Sequence, residues 1–486
     1  MTLFTFAYLQ SPFKRWFFPL LSLLLMTALP AIGQGGSAAQ HQRMADSLTG
    51  LFNQARFADI YACCNEDLKD GLTEKQLTDL LDKQLYKPHG NIQKTLPVRP
   101  DEGFYVYRLK FSLMSVEMSL GVDSIGKIGF IRFLPFKSDQ GFKRLDYASS
   151  NPLKTAVDSL VNKIVQTHMQ SPENCGLSIG VLRNDETFYY HYGETQRDNK
   201  ILPNENTLYE IGSVTKTFCG LLLAQAVKEG KLKLNDDVRT YLPASCSGLK
   251  GSRSIITLAH LANHTSGLPR LPENMAQQAN YNLLNPYKNF TREQCFNYLS
   301  SVKLQSEPGM LCDYSNLGMA LLGMILEDVY HQSFEELVKT KIAKPARLLQ
   351  TGVTLNEDQK KHFAQGYSMD GDAVPHWEFA SMGAAGALCS NSGDMIRYLR
   401  YQLEESTPAL KLSHQETFNA REKLALAWFI KKTNVGNTLY WHNGATYGFT
   451  SFAGFIPEKK CAVVVLCNSS TPVDAIAMAL LNYLQR

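Results

Sequence analysis

Glu210-Ile211-Gly212-Ser213-Val214-Thr215-Lys216-Thr217-Phe218-Cys219-Gly220-Leu221-Leu222-Leu223-Ala224 joins a short polar turn to a long apolar run that closes at Gly230. The run predicts a helix, and a spacing of three residues puts the Lys216 amine on the face of the Ser213 hydroxyl, one turn on. The serine stands in the first turn, where free backbone N–H groups and the positive end of the helix dipole favour a developing oxyanion. A lysine in water titrates near ~10.4 and is a poor base at neutral pH. Burial against the apolar flank, or a second positive group, lowers that value and makes the amine useful. Taken alone, S-x-x-K also describes a serine cap followed by a solvated lysine, so the pair needs support from elsewhere in the chain.

Support comes from two later stretches. Glu307-Pro308-Gly309 leads to Tyr314-Ser315-Asn316, and the apolar residues 317–326 predict a helix behind them. A buried tyrosine hydroxyl relays or orients the proton leaving a serine, and an asparagine amide holds a lysine or a substrate amide. In isolation the triplet reads as a helix cap with Tyr314 in the core. Trp441-His442-Asn443-Gly444-Ala445 precedes a predicted strand over 450–456. A polar side chain two residues before a glycine on an edge strand suits a carboxylate or carbonyl slot, and the glycine lets substrate approach the backbone. Gly176-Leu177-Ser178-Ile179-Gly180 matches the G-x-S-x-G elbow, which requires a strand, a sharp turn and a helix. Here the strand 177–182 runs through Asn184-Asp185 into a second strand, 187–192, so Ser178 reads as structural.

The order and spacing of these elements resemble the serine β-lactamase and penicillin-binding-protein superfamily, whose motifs are S-x-x-K, Y-x-N and K-T-G. More closely, the chain resembles the branch of class C β-lactamases, DD-peptidases, D-aminopeptidases and related esterases. His264-Thr265-Ser266-Gly267-Leu268-Pro269, Gly383-Ala384-Ala385-Gly386 and Phe455-Ile456-Pro457-Glu458 follow the same plan, and the likeness covers residues 155–486. It implies a three-layer α-β-α sandwich around an antiparallel sheet, with an all-helical subdomain. Carried over residue by residue, it makes Ser213 the acylated nucleophile, Lys216 its base and Tyr314 the proton relay. Asn316, His442, Gly444 and Ala445 become substrate-binding residues, with the oxyanion held by the backbone N–H groups of Ser213 and Ala445. His264 reads as structural. The third motif departs from the pattern: His-Asn-Gly replaces Lys-Thr-Gly, and a neutral histidine grips a carboxylate more weakly than a lysine. The resemblance thus implies hydrolysis of D-residue peptide amides or small esters, with a β-lactamase or a slowly acylating penicillin receptor as alternatives.

The chain as a whole is consistent with that reading. Its 486 residues exceed one ordinary core. A hydrophobic content of 44%, with 19% charged residues and a net charge of +4, marks an ordinary globular chain. No basic run is interleaved with aromatics, so nucleic acid is not an expected partner; a small-molecule or peptide substrate is. None of the ten cysteines forms a C-x-x-C pair, and no metal or cofactor is expected. Residues 1–33 read as a cleavable export signal: Lys14-Arg15, an apolar stretch over 16–29, then Ala31-Ile32-Gly33. A periplasmic or secreted location follows, with membrane contact only if that segment stays attached. Residues 34–150 predict a small α+β domain and linker, with helices over 40–90 and strands at 104–107, 111–120 and 128–133. Nothing in it looks catalytic, and its partner is open. Residues 151–486 form the hydrolase domain.

Overall fold

Capping and alternation account for most of the architecture. The computed structural model describes residues 36–136, apart from residue 102, and 146–486. The predicted signal segment and most of the predicted linker lie outside these. The chain divides into two compact units, Met1–Gly141 and Phe142–Arg486.

In the first unit, α1 (Ala38–Asn53) starts at a Ser37–Gln40 capping box and turns Ala45, Leu48 and Phe52 inward. A second capping box, Thr73–Gln76, opens the helix Glu74–Asp79. The helices cover a four-stranded antiparallel meander of β1 (Lys94–Asp101), β2 (Phe104–Lys110), β3 (Ser115–Val122) and β4 (Ile128–Pro135). Its core joins Phe52 and Phe111, in edge-on contact, to Tyr107, Met118 and Leu120. Two expectations need correction. The run 111–120 is not one strand, because the Phe111 N–H donates to the Met114 carbonyl at 2.9 Å and makes a turn there. β1 was not expected: Pro97 and Pro100 argue against a strand, yet both sit on an exposed edge with a register shift between Pro97 and Arg99.

The second unit opens with α2 (Ala156–Met169), capped by Thr155 and Asp158. It continues through the hairpin of β5 (Gly176–Arg183) and β6 (Glu186–Gly193), then α3 (Thr215–Lys228), α4 (Asn316–Tyr330) and α5 (Ser392–Glu404). The chain ends with β7 (Phe418–Asn419), β8 (Lys423–Leu424), β9 (Phe429–Lys432), β10 (Thr438–Ala445), β11 (Thr450–Ile456), β12 (Cys461–Cys467) and α6 (Asp474–Leu484). The eight strands form one antiparallel sheet in the order β7-β8-β9-β10-β11-β12-β5-β6. β12 pairs with β5, one strand in from the β6 edge, with Val464 opposite Gly180, so distant segments close a single sheet. Alternation sends Leu177, Ile179 and Val181 into a core with Val161 and Val165 of α2 and Leu480 of α6. Leu182, Val464 and Leu466 join the opposite core with Phe218 of α3 and Ile396 of α5. Each such side chain contributes on the order of 1.5–3 kcal/mol. The result is the expected α-β-α sandwich, with further helices between α3 and α5 forming the helical region beside it.

Residues 148–151 dock on the edge strand β6. The Ser150 N–H donates to the His191 carbonyl and the Gly193 N–H to the Ala148 carbonyl, each at 2.9 Å.

Candidate active site

Ser213 occupies the single turn Gly212–Val214 that leads into α3. Two glycines let β10 run against that turn. A Cβ on Gly212, whose φ is 48°, would lie 2.8 Å from the Ala445 nitrogen; one on Gly444 would lie 2.1 Å from the Ile211 carbonyl oxygen and 3.0 Å from the Ser213 nitrogen. Ser451 fastens the contact by donating to the Ile211 carbonyl at 2.8 Å. The backbone nitrogens of Ser213 and Ala445 therefore approach one another beside the serine hydroxyl, at the start of a helix.

Lys216 is fully buried, whereas Ser213 remains partly exposed. The Lys216 Nζ lies 2.9 Å from the Ser213 Oγ and donates to the Ala385 carbonyl at 2.5 Å. Burial first, and the Arg270 charge second, hold this amine well below the ordinary lysine range. A neutral amine keeps N–H bonds for Ala385 and has a lone pair free to take the serine proton.

Tyr314 completes the cluster. Its hydroxyl hydrogen-bonds to Ser213, and burial holds its pKa above the ordinary phenol value against the pull of Arg270. Two basic side chains lie against its ring, the Lys216 Nζ and the Arg270 Cζ each 4.9 Å from the centroid. The ring also packs 4.2 Å, centroid to centroid, from His264. That histidine matches its structural reading: Nδ1 accepts the Ser315 N–H at 3.3 Å, and burial keeps the ring neutral. Ser315 caps α4, accepting from the Gly318 N–H at 2.9 Å and donating to the Pro269 carbonyl at 2.7 Å. Asn316 begins α4, giving its amide N–H to the Tyr287 hydroxyl at 3.0 Å, while its Oδ1 has no hydrogen-bond partner among the described residues.

His442 lies buried on β10. Its Nδ1 donates to the Asn443 carbonyl at 2.6 Å, and its Nε2 has no protein partner. Burial, then the Lys216 charge, pull the ring down to about 3, so it stays neutral throughout the physiological range. All seven predicted site residues thus fall in one locality built from α3, α4 and β10. Ser178 is elsewhere in character: buried in mid-strand, its Oγ bonds to His191 Nδ1 at 3.0 Å and to the Tyr209 hydroxyl at 2.9 Å.

Sequence reasoning missed three contributors. Arg270 follows the HTSGLP segment, and its signal was a single charge set among Leu268-Pro269 and Leu271-Pro272. Tyr287, stacked 4.7 Å from Phe379, forms part of an aromatic wall from a region with no motif. Ala385 acts through its carbonyl, which no side chain announces. Among the described residues no group of three or more His, Cys, Asp or Glu stands close enough to hold a metal ion.

Comparison with known proteins shows the family and the fold. The family model described as Beta-lactamase matches residues 161–485. Protein flp of Staphylococcus aureus (strain N315) is 29% identical over 320 residues, 63% of this chain and 62% of the relative; the chain therefore spans about three-fifths of that protein. A β-lactamase of Providencia stuartii is 28% identical over 365 residues, 67% of this chain and 90% of the relative. Among solved structures, a class C β-lactamase superposes with a TM-score of 0.60 at 25% identity, covering 67% of this chain and 95% of its own.

Proposed function

The chain belongs to the β-lactamase family of serine hydrolases, and from that premise we propose that it cleaves D-residue peptide amides or small esters through an acyl-serine intermediate. The observation that carries this reading is the buried, charge-depressed Lys216 amine 2.9 Å from a partly exposed serine hydroxyl. The neutral amine takes the Ser213 proton as Oγ attacks the substrate carbonyl. The resulting oxyanion faces the Ser213 and Ala445 N–H groups at the start of α3. Tyr314, in contact with the same hydroxyl, passes the proton to the departing amine or alcohol as the C–N or C–O bond breaks. Water then attacks the ester, its proton returns through the same pair to Ser213, and the acid product leaves. The Asn316 Oδ1, without a partner among the described residues, accepts a substrate N–H.

His442 sets the preference within that chemistry. Neutral and enclosed, it offers no fixed charge for a carboxylate, which favours peptide amides and esters over dedicated lactam hydrolysis. A β-lactamase is the second reading, favoured by the Providencia relative, whose length the match nearly spans. Export belongs to the same proposal and rests on residues 1–33. A panel of p-nitrophenyl ester, D-Ala-D-Ala peptide, D-aminoacyl anilide and nitrocefin, with Ser213→Ala as control, tests the proposal. Repeated turnover of an ester or D-peptide is expected. Efficient turnover of nitrocefin alone supports the second reading, and a single acylation per chain on every substrate makes the protein a receptor.

A further inference from the structure

The Ser213–Lys216–Tyr314 cluster has a cation that the three motifs do not provide. Arg270 is anchored by its own backbone: its carbonyl accepts the Asn316 N–H at 3.0 Å and the Leu317 N–H at 3.1 Å, which ties it to the start of α4. Its guanidinium Cζ lies 4.9 Å from the centroid of the Tyr314 ring, and the Lys216 Nζ lies at the same distance from that ring. The third motif, where a family lysine would place a positive charge, holds a neutral histidine in this chain. We propose that Arg270 is a positioning residue for the acylation step, a fixed positive charge that adds to burial in favouring the neutral Lys216 amine and orients Tyr314 toward Ser213.

The neighbours of both groups are consistent with that role. Lys216 is faced by Arg270, Tyr314, His264, His442 and the Cys219 thiol. Arg270 is faced by Tyr314, Tyr287 and Asp313. Both histidines stay neutral through burial, and the thiol is pushed far above its ordinary range, so neither the rings nor the sulfur changes charge when Lys216 titrates. Arg270 itself comes down only to about 9 and keeps its proton at neutral pH. Two like charges across one phenol ring repel, and because guanidinium is the weaker acid in water, the lysine is the one to lose its proton.

This inference rests on the assignment of Ser213 and Lys216 above. Its test is the second-order rate constant for labelling by a fluorophosphonate probe, followed from pH 5 to pH 10 in the intact protein. Removing the charge raises the Lys216 pKa, so the acidic limb in Arg270→Gln should move up by about one pH unit or more, with the lost rate recovered at high pH. Arg270→Lys, which keeps the charge, should hold the limb near its wild-type position. Should Arg270→Gln fail to fold, the lysine variant decides alone, because a shifted limb there contradicts a charge effect. An Arg270→Gln profile lowered equally at every pH, its limb in place, overturns the inference and makes the residue a mere prop. Labelling that survives Ser213→Ala overturns the underlying reading instead, which separates the two failures.

Discussion

Removing the amine of Lys216 leaves the serine proton without an acceptor, and removing the Tyr314 hydroxyl leaves the departing group without a donor. Lys216→Met and Tyr314→Phe are each expected to slow acylation by roughly 10²–10⁴-fold. Stopped-flow labelling with a fluorescent penicillin or a fluorophosphonate measures this, and a wild-type rate in either variant removes that residue from the mechanism. The wild-type rate should climb with pH through the lowered Lys216 pKa, since only the neutral amine accepts a proton. That limb should vanish in Lys216→Met. At this scale the sequence was informative for side chains that carry chemistry in a fixed spacing. It was silent on Ala385, because a carbonyl belongs to every residue. It was nearly silent on Arg270, because a lone charge does not reveal that Tyr314, 44 positions on, lies beneath it.

Element by element, packing places the site. α4 crosses the turn Gly383–Ala385 so closely that a Cβ on Gly323 would lie 2.4 Å from the Ala384 Cβ. The next residue, Ala385, holds Lys216 by its carbonyl. Gly323→Val should therefore displace that turn, lowering stability by about 1–3 kcal/mol through overpacking. It should also slow labelling although no site residue is changed. Thermal unfolding and labelling rate check the two effects, and a variant that loses stability with its labelling rate intact uncouples the turn from Lys216. Legibility here followed local signals. The hairpin turn at Asn184 and the strand over 450–456 were readable because turns and alternation are short-range. The edge strand β1 was not, since its prolines look like breakers until a neighbouring strand supplies the pairing. The end of the run 111–120 was hidden for the converse reason: apolar residues continue through a turn that only hydrogen bonding defines.

For the molecule as a whole, the seven candidate site residues all belong to the second unit. A chain starting at residue 142 should fold and label at Ser213. One starting at residue 152 loses the strap on β6, including the Asn151 amide bonded to the Tyr192 hydroxyl at 2.7 Å. It should be less stable by about 2 kcal/mol, read as a lower urea midpoint at equal labelling competence. Equal midpoints would mean the strap contributes nothing. Strands at both ends of the unit with helices between them already suggested one sheet built from distant segments, as the pairing of β5 with β12 bears out, whereas the three-layer sandwich came only through the family resemblance. The most direct test of the account is mass spectrometry of the intact protein after fluorophosphonate treatment, with and without Ser213→Ala. One adduct per chain on the peptide containing Ser213, absent from the alanine variant, is the expected result. An adduct that persists in the variant, or that maps to Ser178 or any other serine, contradicts it.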